Sequence, residues 1–331
     1  MTDESDSRWM GAALALAERG RGRTAPNPSV GCVIVRDGIV VGRGGTRPGG
    51  RPHAEAMALG QAGEKSPGAT AYVTLEPCAH CSERGPACAD LLVAAGVARV
   101  VAAQRDVDPR TNGIGMARLE AAGIATTVGV RAAEAARSMA GFLTRRRLGR
   151  PHVTLKLALS LDGAVALADG RSQWLTGAEA RAHAHLERSR HETILVGRGT
   201  GEADSPSLDV RLSGLEARSP VRVLLSTRPH PSHPAAPRKG EGEWLAIASP
   251  HDIATLPGDH LLVEGGAKAA AAFLAADLVD RLLLYRAPVI VGGGRTLPDI
   301  GLADLADAHG RWRLVDSAAL GADRVEVYER G

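Results

Sequence analysis

The sequence predicts two α/β domains in one chain, and three observations predict them. The length, 331 residues, is about twice the ~150 residues of a common domain. Short apolar runs of strand length alternate with longer stretches of helical period. The halves also differ in chemistry. All four cysteines, Cys32, Cys78, Cys81 and Cys88, fall in the first, and glycine-rich strand ends mark the second.

Residues 7–19 have helical periodicity. Residues 30–36 (VGCVIVR) read as a buried strand, and Asp37-Gly38 as a hairpin turn into a second strand, IVVG. HAEAMALGQAG follows as a helix, ATAYVTL as a strand, CADLLVAAGV as a helix and ARVVAA as a strand. MARLEAAG and IATTVGV add one more helix and strand. This order implies parallel strands joined by crossover helices. Residues 131–147 read as one helix with a basic end, and Pro151 stops it. The domain boundary is expected at 147–151, giving domains 1–147 and 151–331. The second half opens on the strand HVTLKLALSLDG. Further strands are expected at ETILVG, PVRVLLS, EWLAIA, HLLVEGG and DRLLLYRAPVIVGG. Residues 228–242 are rich in Pro and Gly and read as a surface loop.

Composition excludes several functions. Two Phe, four Trp and three Tyr are too few for a base-stacking platform on single-stranded nucleic acid. Forty basic and 37 acidic residues, net +3, argue against a basic groove as the main feature. No apolar run reaches the ~18 residues of a membrane span, and the acidic start MTDESDSRWM does not read as a signal peptide. A cytoplasmic protein acting on a small molecule, away from nucleic acid and membrane, is the expectation. Cysteines crowded before position 89 suggest a metal or redox site, not a disulfide framework.

His53-Ala54-Glu55 opens a predicted helix, and Pro77-Cys78 follows, with Cys81 and Cys88 downstream. This is the H-x-E…P-C-x-x-C arrangement of zinc deaminases. Zinc prefers a tetrahedron of nitrogen and thiolate ligands, and a catalytic zinc keeps one position for water. One His and two Cys leave that position. The metal lowers the pKa of water, and Glu55, two residues from His53, is placed to take its proton and pass it to the leaving amine. The third ligand is Cys81 or Cys88. Cys81 gives the compact C-x-x-C, whereas Cys88 starts an apolar helix, and that geometry favours Cys88. Cys32, inside VGCVIV, reads as a packed apolar residue.

APNPSVGCVIV from Ala25, HAE from His53, TLEPCAH from Thr74 and KLALSLDG from Lys156 together resemble the bifunctional riboflavin-biosynthesis deaminase–reductase family. The resemblance spans nearly the whole chain. It implies a cytidine-deaminase-like α/β/α domain followed by a dihydrofolate-reductase-like α/β domain. The first would remove the ring amine of a phosphoribosylaminopyrimidine with zinc. The second would reduce the ribosyl group of the product with NADPH. By position it implies zinc ligands His53, Cys78 and Cys88, with Glu55 as proton shuttle and Asn27 on the pyrimidine. In the second domain it implies cofactor contacts at Ala158, Trp174, Thr200, Asp204, Thr227, Gly266, Ala267 and Lys268. Substrate contacts are implied at Ser172, Arg188, Leu208, Arg211 and Glu264. Arg suits a phosphate, which it can grip with two parallel hydrogen bonds. Lys156 and Asp162 are the candidate proton donors of the reduction. Self-association is a further expectation of the resemblance.

The chain departs from the family in places. The loop AHCSERGPAC is one residue longer and lacks Thr-Pro-Pro. Thr46 stands where His is common, Arg51 where Glu or a small residue is common, and Ser205 replaces an Asp. The loop, Thr46 and Arg51 concern pyrimidine selectivity and turnover more than zinc chemistry, and Ser205 falls in the reductase pattern. Two other readings compete: a nucleoside or tRNA-base deaminase with an accessory domain, and a partly degenerate chain whose deaminase domain is kept for scaffolding or is altered toward a related pyrimidine. Binding of NADPH discriminates against the first, and the retained Glu55 weighs against the second.

Overall fold

The computed structural model describes residues 4–81, 84–204, 206–228 and 244–331. The chain divides into two compact units, Met1–Gly149 and Arg150–Gly331.

In the first unit α1 (Glu4–Gly20) precedes the hairpin β1 (Gly31–Arg36) and β2 (Ile39–Gly45). The turn residues Asp37 and Gly38 both take positive φ, 52° and 72°, as a two-residue hairpin of this twist requires. Then come α2 (Ala54–Ala62), β3 (Thr70–Val73), α3 (Cys88–Ala94), β4 (Arg99–Ala102), α4 (Ile114–Ala121) and β5 (Ala125–Val128). The sheet order is β2-β1-β3-β4-β5. Only β3, β4 and β5 run parallel. β1 is antiparallel to both neighbours, so the expected parallel layer is three strands of a mixed five-stranded sheet. The hairpin turns the chain back before the first crossover. The helix expected over 131–147 is two, α5 (Ala132–Ser138) and α6 (Ala140–Leu148). They join at Met139, whose φ of −106° and ψ of 17° leave the helical region.

Glycine on β2 sets how closely α2 approaches the sheet. A Cβ on Gly42 would lie 2.2 Å from the Ala58 carbonyl oxygen, and one on Gly44 2.4 Å from that of Ala54. The helix that follows His53 therefore rests on bare backbone. Gly42→Ala is expected to destabilise the first unit by about 1–3 kcal/mol through overpacking. Chemical denaturation of the variant beside the wild type measures this.

The second unit carries an eight-stranded sheet in the order β12-β13-β11-β6-β10-β7-β8-β9. Its strands are β6 (His152–Leu159), β7 (Thr193–Gly197), β8 (Val221–Leu225), β9 (Leu245–Ile247), β10 (His260–Val263), β11 (Arg281–Arg286), β12 (Trp312–Leu320) and β13 (Asp323–Arg330). β11, β6, β10, β7, β8 and β9 are mutually parallel, and the β12–β13 hairpin pairs antiparallel to β11. The helices are α7 (Ala178–Arg188), α8 (Arg198–Asp204) and α9 (Ala267–Ala275). The strand expected to run through 280–293 ends at Arg286. Beyond it Pro288 lacks an amide for the ladder, and Val291 and Gly292 donate their N–H groups to the Asp162 carboxylate instead. Most of the loop expected at 228–242 lies outside the described residues. Among the described residues no helix is long and apolar enough to cross a membrane.

Candidate active sites

In the first unit three ligand-type side chains converge. His53 is the N-cap of α2, Cys78 lies in the segment after β3, and Cys88 is the first residue of α3. One ligand atom from each lies within 4.8 Å of the others. His53 Nδ1 is 3.3 Å from Cys88 Sγ and 3.6 Å from Cys78 Sγ. Zinc–sulfur bonds of about 2.3 Å and zinc–nitrogen bonds of about 2.0–2.1 Å, set tetrahedrally, place such atoms roughly 3.5 Å apart. The donor set and its spacing therefore fit zinc. Cys81 is exposed and stands outside this group. Two other residues of its loop, Ser82 and Glu83, lie outside the described residues.

The electrostatics suit a thiolate. Hydrogen bonds from the Cys88 thiol and from His53 hold Cys78 well below the ordinary thiol range, against the opposing effect of burial. The backbone N–H of Cys88 also donates to Cys78 Sγ at 3.3 Å. The hydrogen bond to Cys78, then burial, push Cys88 up. Glu55, in the first turn of α2, is buried, and that burial pushes its carboxyl up to about 7. Asn27 reaches the same place. Its Nδ2 donates to the Gly50 carbonyl at 2.8 Å and lies 3.1 Å from His53 Nε2. The hydroxyl of Thr46 is committed elsewhere, accepting from Val30 N at 3.0 Å.

In the second unit Thr200, Thr227, Gly266, Ala267 and Lys268, five of the residues expected to meet the cofactor, follow the ends of neighbouring strands. Gly266 follows β10, Thr200 follows β7 and Thr227 follows β8, and these three strands are parallel neighbours. Gly266 N donates to Thr200 Oγ1 at 3.1 Å. A Cβ on Gly265 would sit 2.7 Å from the Ala269 Cβ, and one on Gly266 3.2 Å from Thr200 Oγ1. The two glycines thus leave bare backbone before Ala267 and Lys268, which start α9 and present its unpaired N–H groups. That is an anion cradle and fits a pyrophosphate-bearing cofactor. Ala158 lies on β6. Trp174 is 70% exposed, and the Arg181 guanidinium stands 4.8 Å from its ring centre. Ser172 is exposed nearby. Asp204 closes α8, and its side chain lies outside the described residues.

Beside these strand ends sits a buried ion cluster. The Arg188 fork donates to both oxygens of Glu264, at 2.8 and 2.9 Å, and Lys156 Nζ donates to Glu264 Oε1 at 3.3 Å. Burial pushes the Glu264 carboxyl up, and Lys156 and Arg188 more than reverse it, holding it at about 2. Arg188 also donates to the Asp209 carbonyl. Its fork is thus committed to a carboxylate, where the sequence suggested a phosphate. Leu208 is buried in a left-handed conformation, φ 51°. Arg211 is held by Asp209 and Ser207. Of the two candidate proton donors, Asp162 accepts from Ser160 and two backbone amides. These bonds hold it at about 2, so it is a loop clamp and not an acid at neutral pH. The Lys156–Glu264 contact, 108 residues apart in the chain, had no local signal. Only the family resemblance, which implied Glu264 as a substrate contact, pointed toward it.

A donor set of the zinc-deaminase type and, in a second α/β unit, an anion cradle suited to a dinucleotide cofactor are thus carried by one chain, the arrangement of a two-domain enzyme. Residues 3–104 match the cytidine and deoxycytidylate deaminase zinc-binding region, and residues 151–325 match the RibD C-terminal domain. The riboflavin biosynthesis protein RibD of Escherichia coli (strain K12) is 42% identical, over 92% of this chain and 94% of its own. The Aquifex aeolicus protein of the same name is 37% identical over the whole of both. Acinetobacter baumannii RibD superposes with a TM-score of 0.87 at 37% identity, covering 99% of each chain. The deaminase/reductase of Thermotoga maritima does so with a TM-score of 0.86 at 31% identity, also over 99% of each. The chain belongs to the RibD family, the bifunctional zinc deaminases and NADPH-dependent reductases of riboflavin biosynthesis.

Proposed function

We propose that the two units carry out consecutive reactions on one phosphoribosyl pyrimidine. The Thermotoga maritima relative is a diaminohydroxyphosphoribosylaminopyrimidine deaminase and a 5-amino-6-(5-phosphoribosylamino)uracil reductase, and these are the activities we assign. The observation that carries the reading is the convergence of His53, Cys78 and Cys88 within 4.8 Å, with Glu55 buried on the helix that His53 caps.

His53, Cys78 and Cys88 would hold zinc, whose Lewis acidity makes water a nucleophile at neutral pH. Glu55 takes one proton from the attacking water and gives it to the ring nitrogen, then takes the second from the new hydroxyl on the ring carbon and gives it to the amine, which leaves as ammonia. A group poised near neutrality is matched to both transfers. Asn27, beside His53, positions the pyrimidine. In the second unit NADPH would supply the hydride. Thr200, Gly266, Ala267, Lys268 and Thr227 would bind its phosphates, and Ala158, Trp174 and Asp204 would complete its site. Ser172, Leu208, Arg211 and Glu264 would face the ribosyl phosphate, with Arg188 fixing Glu264. Lys156 is the remaining candidate to supply the proton. The resemblance also supports a cytoplasmic, self-associating enzyme.

Glu55→Gln tests the assignment. Loss of the general acid–base is expected to lower deaminase turnover by about 10²–10⁴-fold, with zinc content and NADPH oxidation on the deaminated substrate unchanged. Deamination retained within threefold would remove Glu55 from the chemistry.

A further inference from the structure

Glu76 is a buried charge that neither reaction uses. It stands two residues before Cys78 and is 2% exposed. Its carboxylate is held by backbone amides. Oε2 accepts from Asp106 N at 3.2 Å and from Gly113 N at 3.0 Å, and Oε1 accepts from Met116 N at 3.1 Å. Its own N–H donates to the Gln104 carbonyl at 2.9 Å. All four bonds run to one stretch of chain, residues 104–116, which leads from the end of β4 into the first turn of α4.

That stretch grips the far side of Cys78 as well. Thr111 Oγ1 accepts from Ala79 N at 3.4 Å and lies 3.3 Å from His80 Nδ1. A Cβ on Gly115 would fall 2.0 Å from the Pro77 carbonyl oxygen, so α4 packs backbone against the residue just before the ligand. Cys78 lies outside any helix or strand, yet both of its flanks are tied down by the same segment. No neutral side chain of the shape of Glu76 can accept all three N–H bonds, because glutamine would turn an NH₂ group against an amide donor.

We propose that Glu76 is a positioning residue for the metal centre. By gathering three amides of residues 104–116 it fixes the Pro77–Cys78 turn, and through it the place of Cys78 Sγ relative to His53 Nδ1. The proposal rests on the reading of His53, Cys78 and Cys88 as the ligand set.

Cobalt(II) binding by the full chain tests it, read by chelator competition and by the visible absorption of the bound ion. Glu76→Gln is expected to weaken Co²⁺ binding by about 10–100-fold, the usual effect of losing an outer-shell partner, and to shift the bands. Leu14→Ala, a core truncation on α1, is expected to lower stability while keeping the affinity within about threefold of wild type and the bands unchanged. Should Glu76→Gln fail to fold, Thr111→Val removes one tie from the same segment and is expected to weaken Co²⁺ in the same direction. Wild-type affinity and spectrum in Glu76→Gln would overturn the proposal. So would an equal loss in Leu14→Ala or, in the fallback, full affinity in Thr111→Val. Undiminished binding in Cys88→Ser would instead overturn the ligand set.

Discussion

Replacing Cys88 with serine is expected to strip zinc from the deaminase unit, while replacing Cys81 leaves the metal in place. The spacing C-x-x-C alone points to Cys81. The fold points to Cys88, because α3 begins there and sets its thiol 3.3 Å from His53 Nδ1, with its amide on Cys78 Sγ. A lost first ligand should weaken zinc by more than the roughly 10–100-fold that outer-shell changes cost. Deamination should fall with the metal, and NADPH oxidation on the deaminated substrate should continue. Zinc content after gel filtration, measured on both variants, decides the matter. Metal lost from Cys81→Ser and kept in Cys88→Ser would reverse the assignment.

Glu264→Gln is expected to abolish reduction and to destabilise the second unit by about 3–5 kcal/mol, because it leaves two cations in a largely buried site without a counter-charge. Lys156 and Arg188 both converge on this carboxylate, with side chains 20% and 15% exposed. The same cluster sets an acid dependence. The folded state holds Glu264 at about 2 against an ordinary 4.5. Its contribution is therefore complete above the unfolded value and is lost as pH falls from about 4.5 toward 2. The linkage amounts to something on the order of 3 kcal/mol. Denaturant midpoints of wild type and Glu264→Gln, taken between pH 7 and pH 3, should converge as pH falls. A constant gap, or no gap at pH 7, would contradict this.

Much of the deaminase site was legible because its signals are local. The His53–Glu55 spacing, the Pro77-Cys78 step and the Asp37-Gly38 turn each depend on neighbours in sequence. What stayed hidden depended on distant partners or on breaks that leave the period intact. Ala135, Met139, Phe142 and Leu143 are all buried at the spacing of one straight helix, so the kink at Met139 left no trace in the pattern. α7 went unread because its buried face is Ala180 and Glu187, which makes no apolar stripe. Glu187 is held there by Arg190 and Arg281, the second of them on β11. In the same way, the ties of Glu264 to Lys156 and of Glu76 to residues 104–116 span segments that no periodicity links.

The central claim is that one chain performs a zinc-dependent deamination and then an NADPH-dependent reduction on the same phosphoribosyl pyrimidine. Turnover of the diaminopyrimidine ribotide, with and without NADPH, tests it most directly. The deaminated uracil derivative should accumulate without NADPH, and the ribitylamino product should form when NADPH is added. Reduction without prior deamination, or no deaminated product in the zinc-loaded protein, would contradict it.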